Sequence, residues 1–435
     1  MERGLWPGRP VLLPDESLSS WFARLAAANG LQTAELHRIL QPGGDRSPRD
    51  LDRHADFQIL DRLSAKTSIT ADALEQATFR RWAGYVFERD DGLAKLDWLP
   101  PAGRDGATRC FGQQACPLCL AGDAQPYLRL RWRLLFVSVC PVHSCLLIDR
   151  CPRCNEPLAI LRQQQRGGVN CWSCGFDLRQ AETVQPPVNY LPYQNRLLTV
   201  LADGWADLGD HVGLYSFIYL KVLALVVRLL TGGPHAYALR EQAELREPGL
   251  AVPPQSLPRG RDLAVMAPAA RTVLVAMAMV LMRDWPNTLA SAADAVGLAS
   301  SHVRKRHGES LPFAFAQLVD WHLKKPFNAE GRIEVAGLKE MLERQGRKPT
   351  YREMVETVGT ELAAMSDMAE PVANGAAWGQ GRYWKLDGVS PEVKEAARLM
   401  AHRSGQSVGP WLDNLLRQHL NLPSGREKSS ESPIS

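Results

Sequence analysis

The sequence predicts a mainly α-helical chain with small zinc-ribbon β elements, and three observations carry that prediction. All nine cysteines fall between Cys110 and Cys174. Outside that stretch, apolar residues recur at helical rather than strand spacing. Two short segments, near residues 18–40 and 288–307, read as helix, glycine turn, helix.

The cysteine stretch organises the rest. Cys151-Pro152-Arg153-Cys154 and Cys171-Trp172-Ser173-Cys174 are C-x2-C pairs separated by residues 155–170, a spacing that reads as a tetrahedral zinc site. Upstream, Cys116-Pro117-Leu118-Cys119 and Cys140-Pro141-Val142-His143 read as a second site of three thiolates and one imidazole. Two cysteines three positions apart in a tight turn can face one metal, and two such turns close the shell. Gly175 and Asn155, each directly after a pair, suit the left-handed backbone such turns need. A cystine framework is the weaker reading, because clustered C-x2-C pairs without an export signal favour metal. Cys145 is a substitute ligand in principle, but Cys145 and Cys110 read better as small buried apolar residues. Each set supplies four protein ligands and leaves no place for water. Two structural Zn2+ ions are therefore expected, each contributing folding free energy to a short domain.

A chain of 435 residues has room for two to four domains. A net charge of +4 permits nucleic-acid binding without demanding it. The longest apolar runs, Leu214–Leu230 and Thr272–Met282, read as buried core helices rather than membrane spans, which need roughly 20 apolar residues. No apolar h-region follows Met1-Glu2-Arg3-Gly4, so a cytoplasmic protein is expected.

Six segments are expected in order. Residues 1–109 form a helical, helix-turn-helix-like domain. Its first helix opens at Asp15-Glu16-Ser17, carries Leu18, Trp21, Phe22, Leu25 and Ala26 on one face, and stops at Asn29-Gly30. A second helix carries Leu36, Ile39 and Leu40; a plain helical hairpin fits as well. Helical signal returns at Leu60–Leu63 and from the N-cap Thr70 to Phe79. Residues 110–185 form the double zinc-binding domain. Within it Arg129, Arg131 and Arg133 alternate with apolar residues, which reads first as a solvated face and second as a phosphate contact, and 136–139 read as a strand. Residues 186–261 are a helical connector, with one or two apolar helices over 190–232. Residues 262–380 contain a second helix-turn-helix-like unit, turning at Val296-Gly297-Leu298. Its second helix carries Ser300, Ser301, His302, Arg304, Lys305 and Arg306, candidates for base and phosphate contacts, with a solvated basic helix as the plain alternative. Thr350–Gly359 starts the same way, and 360–380 read as a loose linker. Residues 381–422 read as strand, helix, glycine, helix and resemble a ribbon-helix-helix module. Tyr383 and Lys385 would face a DNA groove, or the module would only pair two copies of the chain. Residues 423–435 are serine-rich, charged and expected to be disordered.

Three blocks carry a resemblance to a known family. Leu13-Pro14-Asp15-Glu16-Ser17-Leu18-Ser19-Ser20-Trp21 resembles the opening of the TniQ family of transposition proteins. Cys116-Pro117-Leu118-Cys119 with Tyr127 and Trp132-Arg133 is similar to its central motif. Cys140-Pro141-Val142-His143 and Cys151-Pro152-Arg153-Cys154 look like its zinc knuckles. The likeness is good over residues 8–190 and loose elsewhere; the tail module is not part of it. The resemblance implies a non-catalytic adaptor that helps choose a transposition target. Such proteins link DNA, or a CRISPR effector bound to guide RNA, to an AAA+ ATPase regulator that recruits the transposase. In that family the matched cysteines and histidine bind structural zinc. A zinc-containing transcription regulator is the alternative. A zinc enzyme is disfavoured, since no G-x-x-x-x-G-K-[ST] or H-E-x-x-H motif is present.

Overall fold

The computed structural model describes residues 4–42, 50–88, 96–163, 169–251, 263–307, 311–323 and 329–348, with scattered single positions between 400 and 418. Apart from those positions, the expected tail module with Tyr383 and Lys385, the segment 350–380 and the tail 423–435 lie outside the described residues. By contact the chain divides into two units, Met1–Arg332 and Ile333–Ser435.

The first unit begins with short capped helices. Ser17 caps α1 (Leu18–Ala28), its hydroxyl accepting from Ser20 N at 3.2 Å. Gly30, at φ +70°, ends it: its N–H reaches Ala27 O and that of Leu31 reaches Ala26 O, the paired bonds of a Schellman stop. α2 (Thr33–Leu40) buries Thr33, Leu36, His37 and Leu40, while Ile39, expected inside, is 52% exposed. On a helix of this length Leu36, His37 and Leu40 already complete the inward stripe, and Ile39 falls beside it. α3 (Leu51–His54) and α4 (Phe57–Thr67) follow, Asp56 capping α4 through Ile59 N at 2.7 Å. Thr70 caps α5 (Ala71–Glu75) as expected, but that helix stops at Glu75 and a separate 3-10 turn, Phe79–Trp82, starts under the Thr78 cap.

The middle is mostly irregular and cross-tied. A hairpin pairs β1 (Ala102–Asp105) with β2 (Thr108–Phe111), and α6 (Pro117–Gly122) follows. The expected strand over 136–139 is reduced to one bridge, Val139 to Leu146. Its amides are taken by a side chain instead: Gln194 Oε1 accepts from Ser138 N at 3.0 Å and Val139 N at 3.1 Å. The arginine alternation is a solvated face only at Arg131, which is exposed and pairs with Asp15. Arg129 pairs with Asp123 at 2.8 Å and lies over the Tyr127 and Trp132 rings. Arg133 is 1% exposed and forks onto Asp50 while touching Asp52. A guanidinium so placed stays inside only because two carboxylates meet it there.

The connector departs from an all-helical expectation. α7 (Leu191–Asp203) ends at Gly204, φ +78°, and a hairpin of β3 (Trp205–Leu208) and β4 (His211–Tyr215) follows before α8 (Ser216–Thr231) begins. The two-residue turn Gly209-Asp210 is a hairpin signal that the surrounding apolar run obscured. α9 (Ala236–Arg246) and α10 (Pro268–Leu281) complete a helical layer in which the long apolar runs are buried core, except that Leu214 and the exposed Tyr215 belong to β4 rather than to a helix. Arg271 of α10 is fully buried and ion-paired with Asp149. Among the described residues no single helix is long and apolar enough to cross a membrane; α8 and α9 meet at a 112° bend. The unit continues through α11 (Asn287–Ala295), α12 (Ser300–His307), α13 (Phe313–Gln317) and a π-turn at Leu318–His322. One buried apolar cluster runs from Leu18 to Leu323. Among the described residues the structure is mainly helical with two small antiparallel sheets. α14 (Ala329–Arg344) carries the unit boundary, and in the second unit its end is stopped by Gly346 at φ +71°.

Candidate metal centres

Three of the four half-sites share one backbone pattern. In Cys140–His143, Cys151–Cys154 and Cys171–Cys174, the residue after the second ligand turns left-handed: Ser144 at φ 52°, Asn155 at 60° and Gly175 at 72°. Each then donates its N–H to the carbonyl of the first cysteine, at 2.8, 2.9 and 3.0 Å. The first cysteine's N–H reaches across to the carbonyl five positions on, in Cys145, Glu156 and Phe176, at 2.8, 2.8 and 2.7 Å. A bridge then closes each loop, Val139 to Leu146, Arg150 to Pro157 and Asn170 to Asp177. The fourth half-site is different. Cys116 is the N-cap of α6 and Pro117 its first residue, so Cys119 is presented from a helix.

These turns bring the predicted ligands together as two sets, Cys116, Cys119, Cys140 and His143, and Cys151, Cys154, Cys171 and Cys174. Within each set the donor atoms all lie within 4.8 Å of one another. Zinc bonds of about 2.3 Å to sulfur and about 2.0 Å to nitrogen demand roughly 3.8 Å between sulfurs and roughly 3.5 Å from sulfur to nitrogen in a tetrahedron. Cys119 and Cys140 sulfurs are 3.6 Å apart, and His143 Nδ1 lies 3.5, 3.3 and 3.5 Å from Cys116, Cys119 and Cys140. In the second set, Cys151 to Cys174 is 3.6 Å and Cys154 to Cys171 is 3.5 Å. Both donor sets fit one tetrahedral metal each.

The electrostatics point the same way. A hydrogen bond to Cys140 holds the Cys116 proton on and pushes that thiol far up, and the same bond draws Cys140 down to about 4. Burial lifts Cys151 to about 12, whereas the Phe176 amide draws half-buried Cys174 down to about 7. Thiols this close cannot all ionise beside one another unless a cation shares the charge.

Cys145 is buried, with its sulfur 3.7 Å from that of Cys116, but it stands outside the set of four. Cys110 is half-buried on β2, and desolvation raises it. Sequence reasoning missed what frames the clusters. Gln114 donates to the carbonyls of Trp132, Leu134 and Val137, and Arg133 ties the same segment to Asp50 and Asp52. A buried Gln or Arg shows itself only once its distant partners are known.

Of the candidate DNA-contacting residues, Ser300, Ser301, His302, Arg304, Lys305 and Arg306 sit on α12, entered through a second Schellman stop. Gly297, at φ +69°, donates to Asp294 O, and Leu298 N donates to Ala293 O. Ser300 and Ser301 are half-buried, and Lys305 is exposed. Arg304 is ion-paired with Asp320. The exposed His302 packs edge-on against His235, ring centroids 5.1 Å apart, and both line a cavity of about 280 Å3 together with Leu229, Leu239, Leu298 and Lys305. Nothing is described of the Arg306 side chain.

These parts define a helical protein fastened in the middle by two four-donor cysteine and histidine clusters. Residues 7–147 match the TniQ family model, which supports a TniQ family protein with its TniQ domain over that span. The match takes in the whole first cluster and stops before Cys151, short of the 190 to which the motif likeness was expected to extend. No curated protein matches the chain.

Proposed function

We propose that the protein is a zinc-stabilised, non-catalytic adaptor for DNA transposition. In this reading it selects the target site and links DNA, or a targeting complex, to an AAA+ ATPase regulator and through it to the transposase. The observation that supports it is the coincidence of the TniQ match with the first cluster: Cys116, Cys119, Cys140 and His143 all fall within residues 7–147. Four protein donors fill a tetrahedral shell, so each Zn2+ would hold the fold and leave no site for an activated water. The eight ligands are the metal-site assignment, and the six segments from 1–109 to 423–435 remain the proposed domain plan. Tyr383 and Lys385 in the tail stay candidates for DNA contact or pairing of two copies.

The succession of α11, the Gly297 turn and α12 supports one second reading, a zinc-containing transcription regulator. Co-purification with a tagged AAA+ transposition ATPase, together with transposition assays in a deletion strain, separates the two. Association and loss of targeted insertion are expected. Sequence-specific DNA binding with normal transposition and no ATPase association favours the regulator instead.

A further inference from the structure

The β3–β4 hairpin carries an aromatic ladder that neither cluster nor α12 uses. Trp205 and Tyr215 are partners across the strands, with ring centroids 4.3 Å apart and planes tilted by 28°. Phe217 stacks on Tyr215 at 5.4 Å. Trp205 is 48% exposed and Tyr215 52%, so the stacked pair reaches solvent. Along the same segment Asp203, at the end of α7, Asp207, on β3, and Asp210, in the turn, are exposed, and from Leu197 to Leu220 the chain has no lysine or arginine.

The hairpin is fixed from behind. Leu208 is buried, and Gly209, at φ +58°, lies so close to the Trp285 carbonyl that an added Cβ would meet its oxygen at 2.1 Å. At the other end Ser216 N donates to Gly204 O at 2.9 Å, and Ser216 Oγ donates to Tyr85 O at 2.7 Å. The rings are therefore held in place before any partner arrives, which lowers the ordering cost of binding.

We propose that this hairpin docks a basic segment of a partner protein, stacking an arginine guanidinium on the outer face of Trp205, which Tyr215 backs from within the ladder, while the three aspartates face its other basic side chains. Ring faces carry negative potential and attract cations, and a planar guanidinium stacks better than an ammonium. Stacked aromatics also take unpaired bases, but this segment supplies three carboxylates and no lysine or arginine of its own, which disfavours phosphates. The inference rests on the hairpin alone and stands whether or not the transposition reading holds.

The test uses the full chain and fluorescence anisotropy with labelled peptides alternating serine with arginine, lysine or glutamate, and with a single-stranded oligonucleotide. The arginine peptide should bind tightest and the glutamate peptide not at all. Trp205→Ala and Tyr215→Ala should each weaken it by about tenfold, with Trp205→Phe retaining most of the affinity. Added salt should weaken binding further. Metal content and thermal midpoint of the variants show that they are folded. Unchanged arginine-peptide affinity in the double alanine variant overturns the proposal. So does oligonucleotide binding that the same substitutions abolish, or a self-associated species in sedimentation that they dissolve.

Discussion

Arg133 and Asp50 meet inside the protein: Nη2 lies 2.7 Å from Oδ2 and Nη1 2.9 Å from Oδ1, with the side chains 1% and 3% exposed. Asp52 closes on the same guanidinium at 2.5 Å. Burial works against the Arg133 charge, but the two carboxylates outweigh it and hold the group above its ordinary value. Arg133→Leu should therefore cost about 3–5 kcal/mol, because it strands two buried carboxylates. Arg133→Lys should recover only part of this, since an ammonium cannot fork onto Asp50. Denaturant unfolding midpoints check both. A loss under about 1 kcal/mol for Arg133→Leu, the scale of an exposed pair, would sink the argument.

Glu16 gives a pH dependence of defined sign. Burial raises its carboxyl above the ordinary value, against the opposing pulls of the Leu13 amide and Arg24. A carboxyl raised in the folded state contributes stability that is fully present below its unfolded value, near 4.5, and is lost as pH climbs through the raised one. Glu16→Gln cannot titrate. The wild-type thermal midpoint should therefore fall relative to that of Glu16→Gln as pH rises from 4 towards neutrality. A gap that moves in the wild type's favour contradicts the assignment.

The knuckle backbone predicts opposite outcomes at equivalent positions. Ser144, Asn155 and Gly175 occupy the same left-handed site. Such a site costs an ordinary L-residue about 1–2 kcal/mol, less for asparagine and nothing for glycine. Ser144→Gly should raise the thermal midpoint and slow metal loss to a chelator, Asn155→Gly should change little, and Gly175→Val should accelerate loss from the second cluster. Cys151→Ala or Cys171→Ala should lower zinc from two to one per chain, measured by elemental analysis, and unfold the middle of the protein. Cys110→Ala and Cys145→Ala should leave it at two. Uniform effects at 144, 155 and 175 would show that the turn does not limit the site.

The clusters were legible because metal geometry writes itself into spacing. C-x2-C, a following glycine or asparagine, and the gap between pairs are all local. Helix starts were legible for the same reason, Ser17 and Thr70 being local caps. Arg133 was not, because its reading as a solvated face changes only when Asp50, 83 positions away, is placed beside it. The β3–β4 hairpin was missed for a different cause. Its Gly209-Asp210 turn and the alternation in Trp205–Leu208 are genuine strand signals, but they lie between two stronger helical runs. Ile39 shows the limit of periodicity: on an eight-residue helix the apolar stripe is short enough that its edge decides exposure.

Lys305 and Arg304 separate a DNA-binding helix from a merely basic one. Lys305 is exposed, whereas Arg304 is held by Asp320. If α12 contacts phosphates, Lys305→Ala should weaken DNA binding and flatten the plot of log affinity against log salt by about 0.9 per lost contact. Arg304→Ala removes a charge already partly neutralised and also unties α12 from the π-turn, so its effect should mix lower affinity with a lower thermal midpoint. Asp320→Asn breaks the pair without removing the cation, and should raise DNA affinity and steepen the slope. Zinc content should stay at two per chain in all three variants. Were the slope the same in wild type, Lys305→Ala and Asp320→Asn, the basic face of α12 would be a solvated surface, and Ser300, Ser301 and His302 would lose their standing as base contacts with it.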